Sequence, residues 1–129
     1  MIELDMSSTE PGYLCGRLLA ELEQAQRAAS PGVKATIVDR YYGTACTAPA
    51  TVFGTLVQTA QAHLGKLKRD NPPAYFGIQR TIEDILAGLS AFPKTLTMDE
   101  QALFALGYYH QRAHNRAQAS AHRKENQDE

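Results

Sequence analysis

The segment TIVDRYYGTACTAPATVFGTLVQTAQAHLGK, residues 36–66, decides the fold because it contains two successive helical patterns separated by a turn. The first pattern includes DRYY at residues 39–42 and ends in small residues at 46–48. Pro49 then begins the second helix, since the N–H that proline lacks would be unpaired in a first helical turn. Apolar residues of this second helix recur every three or four positions, which predicts one buried stripe. The stripe comprises Val52, Phe53, Leu56, Val57, Ala60, Leu64 and Leu67.

The rest of the chain shows similar helical periodicity, and no segment alternates with the period of a strand. Helices are predicted over residues 11–29, 34–44 and 49–69. Asn71 opens a fourth helix as its cap, and Thr97 opens a fifth in a capping box with Glu100. The predicted fold is therefore all-α, a compact bundle of about five helices.

The polarity of the chain ends suggests three parts. The helical bundle should occupy residues 10–117, after an N-terminal leader at residues 1–9. Residues 118–129 are polar and lack an apolar period, so we expect them to fray into a C-terminal tail.

The helical period also predicts which faces are buried. Arg17 with Glu21, and Glu23 with Arg27, should be solvent-facing pairs on the first helix. Glycines inside the helices cost about 1 kcal/mol each relative to alanine, and we favour close helix crossings over ligand approach to the backbone as the reason for them. The predicted core faces are Leu14, Leu18, Leu22, Ala25 and Ala29 of helix one, and Ala102, Leu103, Leu106, Tyr109 and Ala113 of helix five.

Charge is distributed unevenly, although the net charge is only −1. Residues 1–23 contain five acids and one base, whereas residues 103–124 contain four bases, three histidines and no acid. Cys15 and Cys46 form no metal-binding or redox spacing and indicate reduced thiols in a cytoplasmic protein. No apolar run is long enough to cross a bilayer, so we expect no membrane partner.

The basic residues form three candidate nucleic-acid-binding clusters. Guanidinium groups beside an aromatic ring can hold phosphates and stack on a base. Two alternatives stay open: the cations are solvated or offset helix dipoles, and Tyr108 belongs to the core. The candidates are Tyr108, Arg112, Arg116 and Arg123 along helix five, Lys66, Lys68 and Arg69 at the end of helix three, and Lys34 and Arg40 near helix two.

His110 and His114 lie one helical turn apart, a spacing that can bind zinc. His122 lies further along the same side, but the sequence lacks the glutamate between the pair that a zinc hydrolase uses as its base. Nor does it have a nearby carboxylate on this helix as a third ligand. It also lacks nucleophile and phosphate-loop motifs. We therefore predict no catalytic residue, no metal site and no cofactor.

The string TIVDRYYGTACTAPATVFGTLVQTAQAHLGKL resembles the C-terminal region of the large subunit of type I-C CRISPR Cascade complexes. LDMSSTEPGYLCGRLLAELEQAQ and FPKTLTMDEQALFALGYYHQR fit the same region, so the resemblance covers about residues 10–116. A chain of 129 residues beginning at Met1 is short for that subunit. It resembles the separate small subunit that type I-C systems make by internal translation. Arg40 and Lys66 match the family pattern, and Arg112 follows a matching string.

The resemblance implies a non-enzymatic helical subunit in antiviral defense. Several copies would stack with each other and with the backbone and large subunits. Within the complex, these copies would brace the guide RNA–target DNA heteroduplex of the R-loop and contact the displaced single strand. Two other functions remain as alternatives: a helical module that only braces neighbouring proteins, and a small metal-dependent enzyme built on His110 and His114.

Overall fold

The computed structural model describes residues 3–128, and the side chains of residues 3–121. This part of the chain contains five α-helices and no strand, which confirms the predicted all-α bundle. The helices are α1 (Pro11–Ala29), α2 (Ile37–Thr47), α3 (Pro49–Asp70), α4 (Pro72–Ala87) and α5 (Met98–Asp128).

Helix α1 lies at the centre of the bundle and contacts all four other helices. Around it, α5 neighbours α2, α2 neighbours α3, and α3 neighbours α4. The predicted apolar face of α1 is buried, but so are Arg17, Glu21 and Glu23. The prediction that both charged pairs face solvent is therefore wrong for these three residues, because residues 12–23 of this central helix are buried on every side. Only Arg27 is exposed, and it lies 3.6 Å from Glu23.

Glycines bring α1 and α5 into backbone contact. A Cβ built on Gly16 would lie 2.0 Å from the carbonyl oxygen of Phe104, and one on Gly107 would lie 2.1 Å from that of Tyr13. Only residues without a side chain allow this approach. Close helix crossing is thus confirmed for Gly16 and Gly107. The prediction of a close crossing is wrong for Gly54, Gly65 and Gly77, because a Cβ atom added to any of these three residues would lie in open space.

The buried face of α5 differs from the predicted one. Phe104, Tyr108 and Gln111 are buried, whereas Leu106 and Tyr109 are 45% and 58% exposed. Because Gly107 lies in close contact with α1, the side of α5 that carries Phe104, Tyr108 and Gln111 faces α1. The core therefore contains a polar side chain as well as aromatic ones. Of the predicted core residues, Leu103 is half-buried, while Ala102 and Ala113 are exposed.

Capping sets most of the helix boundaries. Thr36 caps α2 in a reciprocal box with Asp39, so α2 begins three residues later than predicted and ends at Thr47. Asn71 accepts a hydrogen bond from the N–H of Ala74. The predicted box at Thr97 is confirmed, since Thr97 and Glu100 exchange side chain-to-backbone bonds of 2.9 and 3.2 Å.

Helix α5 continues to Asp128, so the prediction that residues 118–128 fray is wrong. Alanine, glutamine, arginine, lysine and glutamate dominate this stretch, and their helix propensities are high. A helix can therefore persist without an apolar stripe. Residue 129, and residues 1–2 of the predicted leader, lie outside the described residues.

Alanine substitutions at two helical glycines test the α1–α5 contact. Gly16→Ala should lower the free energy of unfolding by roughly 3 kcal/mol or more, because overpacking forces the two backbones apart. Gly54→Ala is the matched control and should raise it by up to about 1 kcal/mol. Denaturant unfolding measures both. Equal effects of the two substitutions would contradict the proposed contact.

Candidate nucleic-acid interface

Helices α1, α3 and α5 run in the same direction. Gly16 of α1 faces Phe104 of α5, and further along both helices Glu21 faces Asn115. The start of α3 lies beside the start of α5, because the N–H of Ala50 bonds Pro93 and that of Leu96 bonds Thr47. The short connections after α1 and α3 reverse the chain. Helices α2 and α4 therefore run the opposite way.

This topology gathers basic residues at one end of the bundle, which we call the basic end. It contains the C-terminal halves of α1 and α3, α5 from Arg112 onward, and the N-terminal halves of α2 and α4. Its exposed or half-exposed cations are Arg27, Lys34, Arg40, Lys66, Lys68, Arg69, Arg112 and Arg116. Most exposed acids lie at the opposite end, namely Glu3, Asp5, Glu10, Glu83, Asp84 and Asp99. Asp39 and Asp70 are the exposed acids at the basic end among the described side chains.

Within the basic end, the cations of the three predicted clusters whose side chains are described lie along an arc. Helix α2, with Arg40, lies between α5, with Arg112 and Arg116, and α3, with Lys66. In the part of the chain with described side chains, the one ion pair joins Arg27 to Glu23. The arc therefore carries cations that no carboxylate of the described residues neutralises by direct contact.

Tyrosine rings position two of these cations. The Arg40 guanidinium lies 6.0 Å from the centre of the Tyr41 ring, and the Lys68 ammonium lies 5.6 Å from that of Tyr75. These distances allow cation–π attraction. The tyrosines thus hold long side chains against the bundle while their charges stay accessible.

Tyr108 does not belong to the accessible surface. Its ring is 2% exposed, and its hydroxyl donates a 2.8 Å hydrogen bond to Glu23. The prediction that it stacks on a base is wrong, and the core alternative is correct. Its ring instead lies 6.0 Å from the guanidinium of half-buried Arg112. Burial and the bond to Glu23 raise the pKa of Tyr108.

Phe76 is an exposed aromatic side chain that the sequence analysis missed. Its ring is 62% exposed and lies 5.1 Å from the ring of Tyr75, which contacts Lys68. The sequence contained a signal for this exposure, because Phe76 lies outside the apolar stripe of α4, in which Ile78 and Ile82 are buried. Phe76 thus offers an accessible stacking surface beside a cation, whereas the ring of Tyr108 is buried.

A groove of about 490 Å³ separates α4 from α5, and Glu21 reaches it from α1. A chain of hydrogen bonds leads to it from the core, and its last two members, Asn115 and Glu21, line the groove. Arg17 Nε donates to Gln111 Oε1 (2.8 Å), Gln111 Nε2 to Asn115 Oδ1 (3.1 Å), and Asn115 Nδ2 to Glu21 Oε2 (3.0 Å). Two amides therefore connect the buried cation to the buried acid.

Burial raises the pKa of Glu21 to about 7, against the opposing effects of the Asn115 hydrogen bond and of Arg17. Desolvation penalises the carboxylate, so the folded chain favours the protonated acid. The carboxyl group consequently changes charge near neutral pH, next to the groove.

The remaining predicted residues fall into two groups. Lys34, Lys68 and Arg69 are exposed at the basic end, whereas the side chain of Arg123 lies outside the described residues.

His110 Nδ1 lies 3.0 Å from the hydroxyl of Tyr13, and His114 lines the groove. Among the described side chains, no three histidine, cysteine or acidic residues cluster as metal ligands. No helix within the described residues has the length and apolarity to cross a membrane.

Stability measured against pH tests the environment of Glu21. Between the unfolded pKa near 4.5 and the folded pKa of about 7, the folded chain holds a proton that the unfolded chain has released. The free energy of unfolding should therefore fall as pH rises through this window, by roughly 3 kcal/mol. Glu21→Gln should remove this dependence, whereas the exposed control Glu10→Gln should keep it. Parallel stability curves for Glu21→Gln and the unchanged chain would contradict the assignment.

Comparison with known proteins identifies the family. Residues 1–115 match the family described as CRISPR-associated protein (Cas_Csd1). The chain has no match among the curated proteins. Because the family match spans most of the 129 residues, the chain belongs to the Cas_Csd1 family of CRISPR-associated proteins.

Proposed function

We propose that the chain is a non-catalytic small subunit of a type I-C CRISPR surveillance complex. It braces the guide RNA–target DNA heteroduplex and contacts the displaced DNA strand through the basic end. Its partners are the backbone and large subunits of Cascade and further copies of itself, in the cytoplasm. The family membership supports a role among CRISPR components, and the basic end is the observation that carries the nucleic-acid role.

The charge pattern suits binding that does not read sequence. In an R-loop, base pairing reads the sequence, while protein supplies backbone contacts and shape. Exposed cations spread over α5, α2 and α3 can follow phosphates without an active site or a base-reading motif. A net charge of −1 keeps the free chain from binding DNA tightly, and tethering in an assembly raises the effective concentration at the R-loop.

Charge removal in the assembled complex tests this role. Replacing Lys66 and Arg69, or Arg112 and Arg116, with alanine should weaken target-DNA retention and flatten its salt dependence. Each lost contact with the displaced single strand should reduce the slope of log K against log salt by about 0.7. Filter binding over a salt series measures the slope.

Arg80 and Lys94 provide a matched control, because they carry the same charge but lie outside the arc. Their double alanine variant should keep the original slope. Slopes that do not differ between the control and the basic-end variants, with the complex intact, would contradict the proposal.

Phe76 tests stacking separately from charge. Phe76→Ala should weaken binding of the displaced strand by about 5-fold to 150-fold, since a base–aromatic stack contributes about 1–3 kcal/mol. Phe76→Tyr keeps a ring and should retain binding. Photocrosslinking of the displaced strand provides the second readout. Equal binding by the alanine and tyrosine variants would exclude a stacking role for this ring.

A purely protein-bracing function is the second candidate, favoured by the exposed apolar side chains of α5. In that case the basic end would face acidic protein surfaces. The displaced strand would then give no crosslink to α3, α4 or α5, and salt would affect subunit retention rather than DNA retention.

A further inference from the structure

Helix α5 carries an exposed seam that nothing in the described chain covers. Ala102, Leu106, Tyr109 and Ala113 follow one another at spacings of four, three and four residues. All four are exposed, including the large side chains of Leu106 (45%) and Tyr109 (58%). This spacing is the heptad pattern by which one helix packs along another. The seam therefore has the form of a helix-docking surface.

The same spacing places a charge at each end of the seam. Asp99 lies three residues before Ala102, and Arg116 lies three residues after Ala113. Both side chains are exposed, and neither forms an ion pair with a described side chain. The seam is thus acidic at its start and basic at its end.

An antiparallel copy of the seam complements it in every layer. Asp99 would meet Arg116 of the second copy, Ala102 would meet Ala113, and Leu106 would meet Tyr109. The same contacts then repeat in reverse order, as two-fold symmetry requires. Small residues meet small ones, the large side chains meet at the centre, and opposite charges meet at both ends. A parallel copy would instead place Asp99 against Asp99 and Arg116 against Arg116.

We propose that two copies of this chain associate through antiparallel α5 helices, centred between Leu106 and Tyr109. A single helix seam buries less than the roughly 1,200 Å² of a standard interface. The association is accordingly weak, with a Kd on the order of 100 μM. This inference does not rest on the proposed function, because it concerns the free protein without nucleic acid.

Sedimentation equilibrium of the full chain, over a concentration series spanning that Kd, tests the association. The unchanged chain should pass from monomer to dimer. Leu106→Glu should weaken association at least about 10-fold, since two carboxylates would enter the centre of the seam. Glu83→Lys on exposed α4 is the control and should leave association unchanged. Monomer at every concentration, or a dimer insensitive to Leu106→Glu, would overturn the proposal.

Charge reversal tests the antiparallel register. Asp99→Arg alone and Arg116→Asp alone should each weaken association about 5-fold or more, because each places like charges together twice in the dimer. The double variant restores opposite charges and should recover the original Kd. Circular dichroism confirms that the exposed substitutions leave the fold intact. Failure of the double variant to recover association, with the single variants weakened, would overturn this register.

Discussion

The backbone contact between α1 and α5 is the constraint on which the rest of the structure depends. With Gly16 and Gly107 at the crossing, each helix approaches the other without an intervening side chain. This contact fixes the register of two parallel helices, and the register decides which polar groups meet further along. Arg17 reaches Gln111, Glu21 reaches Asn115, and Glu23 reaches Tyr108 because of it.

The buried ionisable groups of α1 are tolerated because hydrogen bonds satisfy them. Removing a charged group from water costs several kcal/mol unless polar partners replace the water. Glu23 receives bonds from the hydroxyls of Tyr108 and Thr36, at 2.8 and 2.6 Å. Thr36 also caps α2, so this carboxylate connects three helices. No buried side-chain nitrogen or oxygen of the described chain lacks a partner. Such a satisfied network makes the alternative helix registers costly.

Sequence patterns predicted the fold well where a helix has one buried and one exposed face. The α3 stripe is the best example: Phe53, Leu56, Ala60, Leu64 and Leu67 are all buried. The same reasoning failed on α1, because a helix surrounded by four others buries charged residues that look solvent-facing in a pattern. On α5, it selected the exposed seam as the core, since Gln111 and Asn115 face α1 in place of apolar residues.

The candidate site was predictable in part for the same physical reason. Exposed lysines and arginines need no packing information, so Lys66, Arg69 and Arg116 were identified from charge alone. The aromatic residue beside these cations was not identified, because Tyr108 is buried in the core and Phe76 lies on the surface. That distinction depends on the rotation of α4 and α5 about their axes, and tertiary packing sets this rotation.

Helix dipoles do not account for the basic end. The C-termini of α1 and α3 contribute about −0.5 charge each there, and the N-termini of α2 and α4 contribute about +0.5 each, so these charges sum to near zero. The C-terminus of α5 lies further along, at Asp128, and one cation would offset it. Even after the pairing of Arg27 with Glu23 and the charges of Asp39 and Asp70, several cations among the described side chains exceed that need. Like charges held together on a rigid body repel each other, and a polyanion alongside them relieves that repulsion. The folded topology, in which three parallel helices bring their basic residues to one end of the bundle, therefore leaves positive charge there that the described residues do not neutralise.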